Sequence, residues 1–358
     1  MSKNFTIGAF DRFNLGDLAF AEIAQKYFGK IELYSPFGAD FSDLNSIKSE
    51  KLSNIPNEGN FIFAGGEILS SGWFGAYMSL KNPGYRDLVQ LHNHRTEKIF
   101  DLVFFNSRRN RWKTPYIPNP EKFKGKYVYL AVAGRTHVDK IRNLPVKQTY
   151  LSVRDEATYR LLEPNHKGIQ LSPDPVSTLA LDHLERIQAK KYEKLVIQCS
   201  YPWYKQNRLY LNNLIENALR EGMKISFLPF GYTYGHADQV AYYKISKMYP
   251  DVALIQPCNL GEYISVLTNC DLFLGTSLHG HIISSALAVA NFPLPGIIKV
   301  ANYTNTWSPE LGRISKDFIE LPQILDFLND YSEKFQENRI RNARLAEDNI
   351  VKAVDFLS

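Results

Sequence analysis

Short apolar runs alternate along this chain with longer stretches whose apolar residues recur every third or fourth position. The runs Phe5–Ala9, Lys30–Tyr34, Phe61–Ala64, Tyr127–Ala133 and Gln148–Val153 predict strands. A few consecutive apolar residues bounded by glycine, proline or polar punctuation suit a strand buried on both faces. The stretches Asp17–Tyr27, Arg86–Phe100 and Glu156–Leu162 carry helical spacing and fall between them. A second series begins at Lys194. It predicts strands at Lys194–Cys199, Lys224–Pro229, Val252–Ile255, Asp271–Leu274 and near Gly296–Val300. Helices are predicted at Tyr204–Glu221, Asp238–Tyr249, Leu260–Thr268 and His281–Ala290. The remainder, Pro322–Ser358, is helical and charged.

Two successive β–α series imply two parallel sheets covered by helices, an α/β architecture of two Rossmann-like domains. The length of 358 residues agrees, since domains run to about 100–150 residues. The expected division is 1–180, 190–321 and a helical segment 322–358 that packs back against the first domain. The charged stretch Leu179–Lys194, after Pro173-Asp174-Pro175, is the expected connector. In this picture the domains face each other across a cleft, and ligands sit at the carboxyl ends of the strands. That prior covers transferases, epimerases and binding proteins alike, so function has to come from particular residues.

Apolar content of 44% is that of an ordinary globular chain, and no run reaches the ~18 apolar residues of a membrane span. The start Met-Ser-Lys-Asn-Phe-Thr-Ile-Gly leads straight into a strand without a signal-peptide core. Cys199, Cys258 and Cys270 are an odd count without metal spacing and read as reduced thiols, so a cytoplasmic location is expected. The net charge of +5 is spread out. Its densest patch, Arg108-Arg109-Asn110-Arg111-Trp112-Lys113, reads as a solvated basic loop or as a surface for a lipid headgroup or anionic substrate. No nucleic-acid motif accompanies it, and no nucleic-acid partner is expected. His92 and His94 stand two apart on an expected helix and face different directions, which does not suit a metal pair.

Candidate chemistry gathers at the expected strand ends. Asn14-Leu15-Gly16-Asp17 follows the first strand; Gly16 permits an unusual turn and Asp17 is placed to cap the helix, although a plain strand-to-helix turn explains them equally well. It is not a dinucleotide fingerprint, because the G-x-G-x-x-G spacing is missing. Gly65-Gly66-Glu67 ends another strand and admits close approach to backbone. In Ser152-Val153-Arg154-Asp155, Arg154 ends a strand with a planar fork that suits carboxylate or phosphate, and Asp155 is placed to cap the next helix. The bland reading of Arg154 is an internal ion pair with Asp155 or Asp174. Pro173-Asp174-Pro175 stiffens a turn around a carboxylate that reads as structural, receiving backbone N–H groups. The richest stretch is Asp271–Val289, a buried strand that turns through Gly275, Thr276 and Ser277 into an apolar helix. It puts His279 beside a helix N-terminus, where anions bind and a histidine can move a proton near neutral pH. His281, one step further on, reads as structural.

In this order and across most of the chain, these motifs resemble the polysaccharide pyruvyl transferase family. Asn14-Leu15-Gly16-Asp17, Gly65-Gly66, Ser152-Val153-Arg154-Asp155, Asp174-Pro175-Val176 and Leu278-His279-Gly280 carry the resemblance, and Leu228-Pro229-Phe230 followed by Asp238 also fits. The resemblance implies a GT-B-like fold and transfer of pyruvate from phosphoenolpyruvate onto a sugar, forming a cyclic ketal. The acceptor would be a sugar of a surface polysaccharide or its lipid-linked precursor, with peripheral contact at the inner face of a membrane. It implies phosphoenolpyruvate as co-substrate, with no metal and no further cofactor. Arg154 and His279 become the catalytic pair. Arg154, Ser277, Leu278, His279, Gly280 and Lys299 become the donor side, in the second domain but for Arg154. Asn14, Gly16, Asp17, Gly65, Gly66 and Glu67 become the acceptor side. Two departures stand out. Ser277 occupies the position where the family carries arginine before Leu-His, which leaves Lys299, Arg135 or Arg12 to compensate; Glu67 stands where a third glycine is usual. Trp73, Phe74, Tyr77 and Trp112 read either as acceptor-stacking surface or as ordinary core. A nucleotide-sugar-dependent glycosyltransferase of the same architecture and a catalytically silent glycan-binding relative are the alternatives.

Overall fold

The computed structural model describes residues 3–41, 47–80, 111–189, 191–232 and 237–358. The expected helix at Arg86–Phe100, His92, His94, Arg108 and Arg109 lie outside the described residues. The chain divides into two compact units, Met1–Pro175 with Asp348–Ser358, and Val176–Glu347.

The first unit is built on an 8-stranded sheet. Its strands are β1 (Asn4–Ile7), β2 (Glu32–Ser35), β3 (Ala39–Phe41), β4 (Ile47–Lys51), β5 (Asn60–Ala64), β8 (Tyr127–Val132), β9 (Thr149–Val153) and β10 (Gln170–Leu171). The order across the sheet is β10-β9-β8-β5-β1-β2-β4-β3. Every neighbour pair is parallel except the edge pair β3–β4. A small antiparallel pair, β6 (Trp112–Thr114) and β7 (Ile117–Pro118), stands apart. The parallel register sets Phe61 opposite Tyr127 and Phe63 opposite Tyr129. The rings stack, Phe63 on Tyr129 at 4.3 Å between centroids and Phe61 on Tyr127 at 5.7 Å. Each such fully buried aromatic contributes roughly 1.5–3 kcal/mol of apolar burial. Helix α1 (Leu15–Phe28) covers the sheet with Leu15, Leu18, Phe20 and Ile23 and stops at Gly29, whose φ of 72° suits glycine. The shorter helices α2 (Trp73–Met78), α3 (Val138–Ile141) and α4 (Glu156–Leu162) complete the unit among the described residues.

The second unit holds a wholly parallel 5-stranded sheet in the order β13-β12-β11-β14-β15. These strands are β11 (Lys194–Gln198), β12 (Lys224–Phe227), β13 (Ala253–Leu254), β14 (Leu272–Gly275) and β15 (Ala290–Pro293). The helices are α5 (Tyr201–Arg220), α6 (Asp238–Met248), α7 (Leu260–Thr268), α8 (Leu278–Ala286), α9 (Ile298–Trp307), α10 (Pro309–Ile314), α11 (Leu321–Asp330) and α12 (Ser332–Leu357), the last of which belongs to the first unit from Asp348 on. Leu195, Ile197, Leu272, Leu274 and Phe292 from the sheet pack with Leu211, Leu214 and Ile215 of α5 in one core.

Two expectations fail here. The strand placed near Gly296–Val300 is the start of α9, and the last strand is Ala290–Pro293. Pro295 and Gly296, with φ of 87° at Gly296, break the chain before the β-branched run can pair. Lys299 is therefore the second residue of a helix. The helix expected at His281–Ala290 begins three residues earlier, at Leu278, and ends at Ala286. Its true start is set by Ser277, whose hydroxyl accepts from Gly280 N at 3.2 Å.

Candidate functional site

In the first unit the candidate residues meet at the carboxyl ends of β1, β5 and β9. After β1, Asn14 caps α1 by accepting from Gly16 N at 3.2 Å, so the cap is Asn14, while Asp17 sits in the first turn. After β5, Gly65 has φ of 138°, a conformation side chains resist, and its missing Cβ would lie 3.9 Å from the Asp17 carboxylate. The next glycine, Gly66, leaves its side-chain space to the guanidinium of Arg154, which any Cβ would strike. Arg154 is buried and donates from a terminal nitrogen to Asp174 at 3.1 Å; the two side chains are 3% and 0% exposed. Burial of this kind needs pairing, since an isolated charge there would cost several kcal/mol. The Ser152–Asp155 motif thus has four separate jobs. Ser152 donates to Tyr129 O at 3.1 Å and accepts from Ala131 N at 2.8 Å, pinning a bulge in β8 where Ala131 has φ of 47°. Val153 fills the core, Arg154 forms the cation, and Asp155 caps α4 through Thr158 N at 2.8 Å. Glu67 is exposed at the start of a short 3-10 turn.

The residues proposed from sequence as substitutes for the family arginine differ in availability. Arg12 already donates to Ser79 and, at 2.9 Å, to the Tyr116 hydroxyl, and lies 3.4 Å from Asp11. Arg135 is exposed, and Lys299 is half-buried in the second unit. Three of the four aromatics weighed for acceptor stacking, Trp73, Phe74 and Trp112, are buried core, which removes them from that role; Tyr77 is half-buried and packs on Phe37 at 5.9 Å. Arg111 of the basic patch is structural: it donates to Ser53 O at 2.8 Å and Ile55 O at 2.7 Å and lies 5.0 Å over the Phe123 ring.

In the second unit the candidate residues follow β14. Ser277 is the cap, Leu278 is buried, half-buried His279 is second in α8, and Gly280 packs against the Phe273 ring, which any side chain would strike. Helix α8 presents its unpaired N–H groups and positive end here, which favours an anion. His281 turns inward, with Nε2 at 2.8 Å from Gly275 O and Nδ1 at 3.1 Å from Asn291 Oδ1. Burial pushes its pKa down to about 4, although both hydrogen bonds favour the charged ring. It therefore serves structure as neutral imidazole.

A polar group that the motif reading named without giving it a role lies beside this turn. Asp238, fully buried at the start of α6, accepts on Oδ2 from Gln198 Nε2 at 2.9 Å, Phe230 N at 2.9 Å and Gly231 N at 3.2 Å. Its Oδ1 is buried without a hydrogen-bond partner among the described residues. Burial pushes the carboxyl up to about 7, against those three bonds and the charge of Lys299. Around it, Tyr242 donates to Leu228 O at 3.1 Å and accepts from Cys199 N at 3.2 Å, while Tyr263 donates to Pro229 O at 2.6 Å. Among the described residues no cluster of three or more His, Cys, Asp or Glu side chains could hold a metal, and no helix is long and apolar enough to cross a membrane.

Compared with known proteins, residues 14–295 match the family model for polysaccharide pyruvyl transferase. No curated protein matches the chain. Among solved structures, UDP-GlcNAc 2-epimerase of Methanocaldococcus jannaschii in complex with UDP-GlcNAc and UDP superposes with a TM-score of 0.52 at 12% identity, over 99% of this chain and 100% of that one. A second structure of that epimerase gives 0.50 at 13% identity, over 99% and 100%. A functionally uncharacterised protein of Klebsiella pneumoniae gives 0.43 at 16% identity, over 85% and 88%. The fold is thus α/β with two Rossmann-like units of the GT-B kind.

Proposed function

The chain belongs to the polysaccharide pyruvyl transferase family, and from that premise we propose that it moves pyruvate from phosphoenolpyruvate onto a sugar of a surface polysaccharide or its lipid-linked precursor, closing a cyclic ketal. What supports this beyond the family match is that each unit carries a feature suited to an anion, and the one in the second unit includes a histidine. Arg154 offers a guanidinium held in place by Asp174, and α8 offers a capped N-terminus with His279 in its first turn. Phosphoenolpyruvate carries a carboxylate and a phosphate, which need fixed cations and N–H donors.

In the proposed chemistry the enol C3 takes a proton from His279 and C2 becomes electrophilic. One sugar hydroxyl adds to C2 and gives up its proton; the C2–O bond to phosphate breaks; the second hydroxyl closes the ketal and gives up its own. Asp17, beside Gly65, is the acceptor-side carboxylate in this reading. The steps as written use no metal and no further cofactor. With Ser277 committed to the cap, the arginine that the family carries there is replaced by helix N–H groups and by Lys299. A lipid-linked acceptor would bring the protein to the inner face of the membrane.

Incubation with phosphoenolpyruvate and a panel of aryl and lipid-linked glycosides tests the reading. A product heavier by one pyruvate ketal, with release of inorganic phosphate, is expected. A second reading rests on the shared fold, since the epimerase structure holds UDP. Saturable thermal stabilisation by UDP or GDP, with none by millimolar phosphoenolpyruvate, would replace the first reading with a nucleotide-sugar enzyme. Stabilisation by neutral sugars alone would make the chain a glycan-binding relative.

A further inference from the structure

Three segments of the second unit that are far apart in sequence are joined by one buried polar chain. Gln198 ends β11, opposite Gly275 in the sheet register. Its Nε2 donates to Asp238 Oδ2 at 2.9 Å. Its Oε1 accepts from Thr276 N at 3.0 Å and from Thr276 Oγ1 at 3.1 Å. Thr276 Oγ1 in turn accepts from Ser200 N at 3.1 Å. Thr276 directly precedes Ser277, the cap of α8, and Ser277 O accepts from His281 N at 3.2 Å. The amide of Gln198 has only one workable orientation. Turned over, it would set donor against the Thr276 N–H and acceptor against the Asp238 carboxylate. Asp238 is itself anchored by Phe230 N and Gly231 N from the loop after β12. Gln198, Asp238, Thr276 and Phe230 are buried, so leaving one of their partners unmade is costly and the arrangement is tightly specified.

We propose that Asp238 and Gln198 are positioning residues for His279: through Thr276 they fix the β14–α8 turn, and so the direction in which the first turn of α8 presents His279. The role of His279 rests on the proposed transfer reaction; the order of the turn can be measured without it. Asp238 is suited to the task because its three bonds fall on one oxygen. A proton arriving at the bare Oδ1 leaves the other oxygen's bonds intact, so the relay holds on both sides of the carboxyl's titration.

Gln198→Met keeps the side chain's length and volume but removes both ends of the relay. In the folded variant, amide hydrogen exchange in the peptide spanning 275–281 is expected to rise at least tenfold, and kcat for ketal formation to fall at least tenfold, with the phosphoenolpyruvate KM within threefold. Gln198→Glu is the conservative rescue. With one shared proton its carboxyl donates to Asp238 and accepts from Thr276, so activity should return as pH is lowered and vanish as that proton is lost. Unchanged exchange in folded Gln198→Met overturns the proposal, as does raised exchange with unchanged kcat, which would show that the turn's order does not serve the chemistry. If the wild-type protein makes no ketal from phosphoenolpyruvate, the transfer reading falls, and the exchange measurement on folded Gln198→Met still decides whether the relay orders the turn.

Discussion

Arg154 is held more tightly than a strand-end position alone implies. It is an ion pair with Asp174 beneath a glycine whose absent side chain gives the guanidinium its space. A point charge on a flexible stem cannot reproduce that planar fork. Arg154→Lys should keep the fold and lose at least tenfold in kcat/KM for phosphoenolpyruvate, and unchanged donor kinetics in the purified variant would remove it from the site. Gly66→Ala should act on the same group from the other side, because the new methyl occupies the guanidinium's place; donor affinity should fall although the mutated residue carries no charge. Ser277 is a different case. As a helix cap it should cost about 0.5–2 kcal/mol when replaced by alanine, read from the midpoint of chemical denaturation. The sequence showed the departure at 277 but not its structural role, since capping depends on where α8 begins, and that start was misplaced by three residues.

At the scale of elements, the strands that were legible are those buried on both faces, such as Asn60–Ala64 and Tyr127–Val132, whose residues are all buried. The ones missed have other compositions. The strand Ile47–Lys51, next to the sheet's edge, is mostly charged or polar and alternates in burial, and Ala290–Pro293 hides behind a buried asparagine and a proline. Asn291 is polar in the interior because it serves His281 and accompanies it at a turn no local pattern reveals. The Gln198–Asp238–Thr276 chain was out of reach for a similar reason: its bonds join residues 40 and 78 positions apart. Two buried groups of the second unit also titrate in opposite senses. The Asp238 carboxyl is raised in the fold, so its contribution to stability is full below about pH 4 and is lost as pH rises towards 7. The His281 ring is lowered, so its contribution is full above about pH 6.5 and is lost as pH falls towards 4. Between those limits the two slopes offset one another. Asp238→Asn should expose the histidine slope, giving a variant that loses stability in acid, and His281→Asn should expose the opposite one. Cys199, Tyr232, Tyr242, Tyr263 and Lys299 are the charged or titratable neighbours of Asp238. Denaturation midpoints of both variants between pH 4 and 7 check the signs, and parallel slopes would refute them.

At the scale of the molecule, the last helix matters beyond its own length. The residues of α12 up to Glu347 belong to the second unit, and Asp348–Ser358 return to the first. There Tyr150 donates to Asn349 Oδ1 at 2.7 Å, Asn349 donates to the Ser152 hydroxyl at 3.0 Å, and Lys126 donates to Phe356 O at 2.7 Å. Ile350 is fully buried. Ile350→Ala should therefore cost roughly 2–5 kcal/mol, measured as a shift in the denaturation midpoint, and an unshifted midpoint would show that the segment is dispensable. The bonds from Asn349 end on Ser152, the residue that pins the β8 bulge next to Arg154.

A unit made of residues 1–175 and 348–358 has a beginning and an end separated by the whole of its companion. During synthesis, at about 5–20 residues per second, on the order of ten to thirty seconds pass between the appearance of Pro175 and of Asp348. Throughout that interval the first sheet lacks the residues that finish it. Vectorial folding thus runs out of order in this chain: the half that leaves the ribosome first is the half completed last, and it waits on the final turns of the final helix.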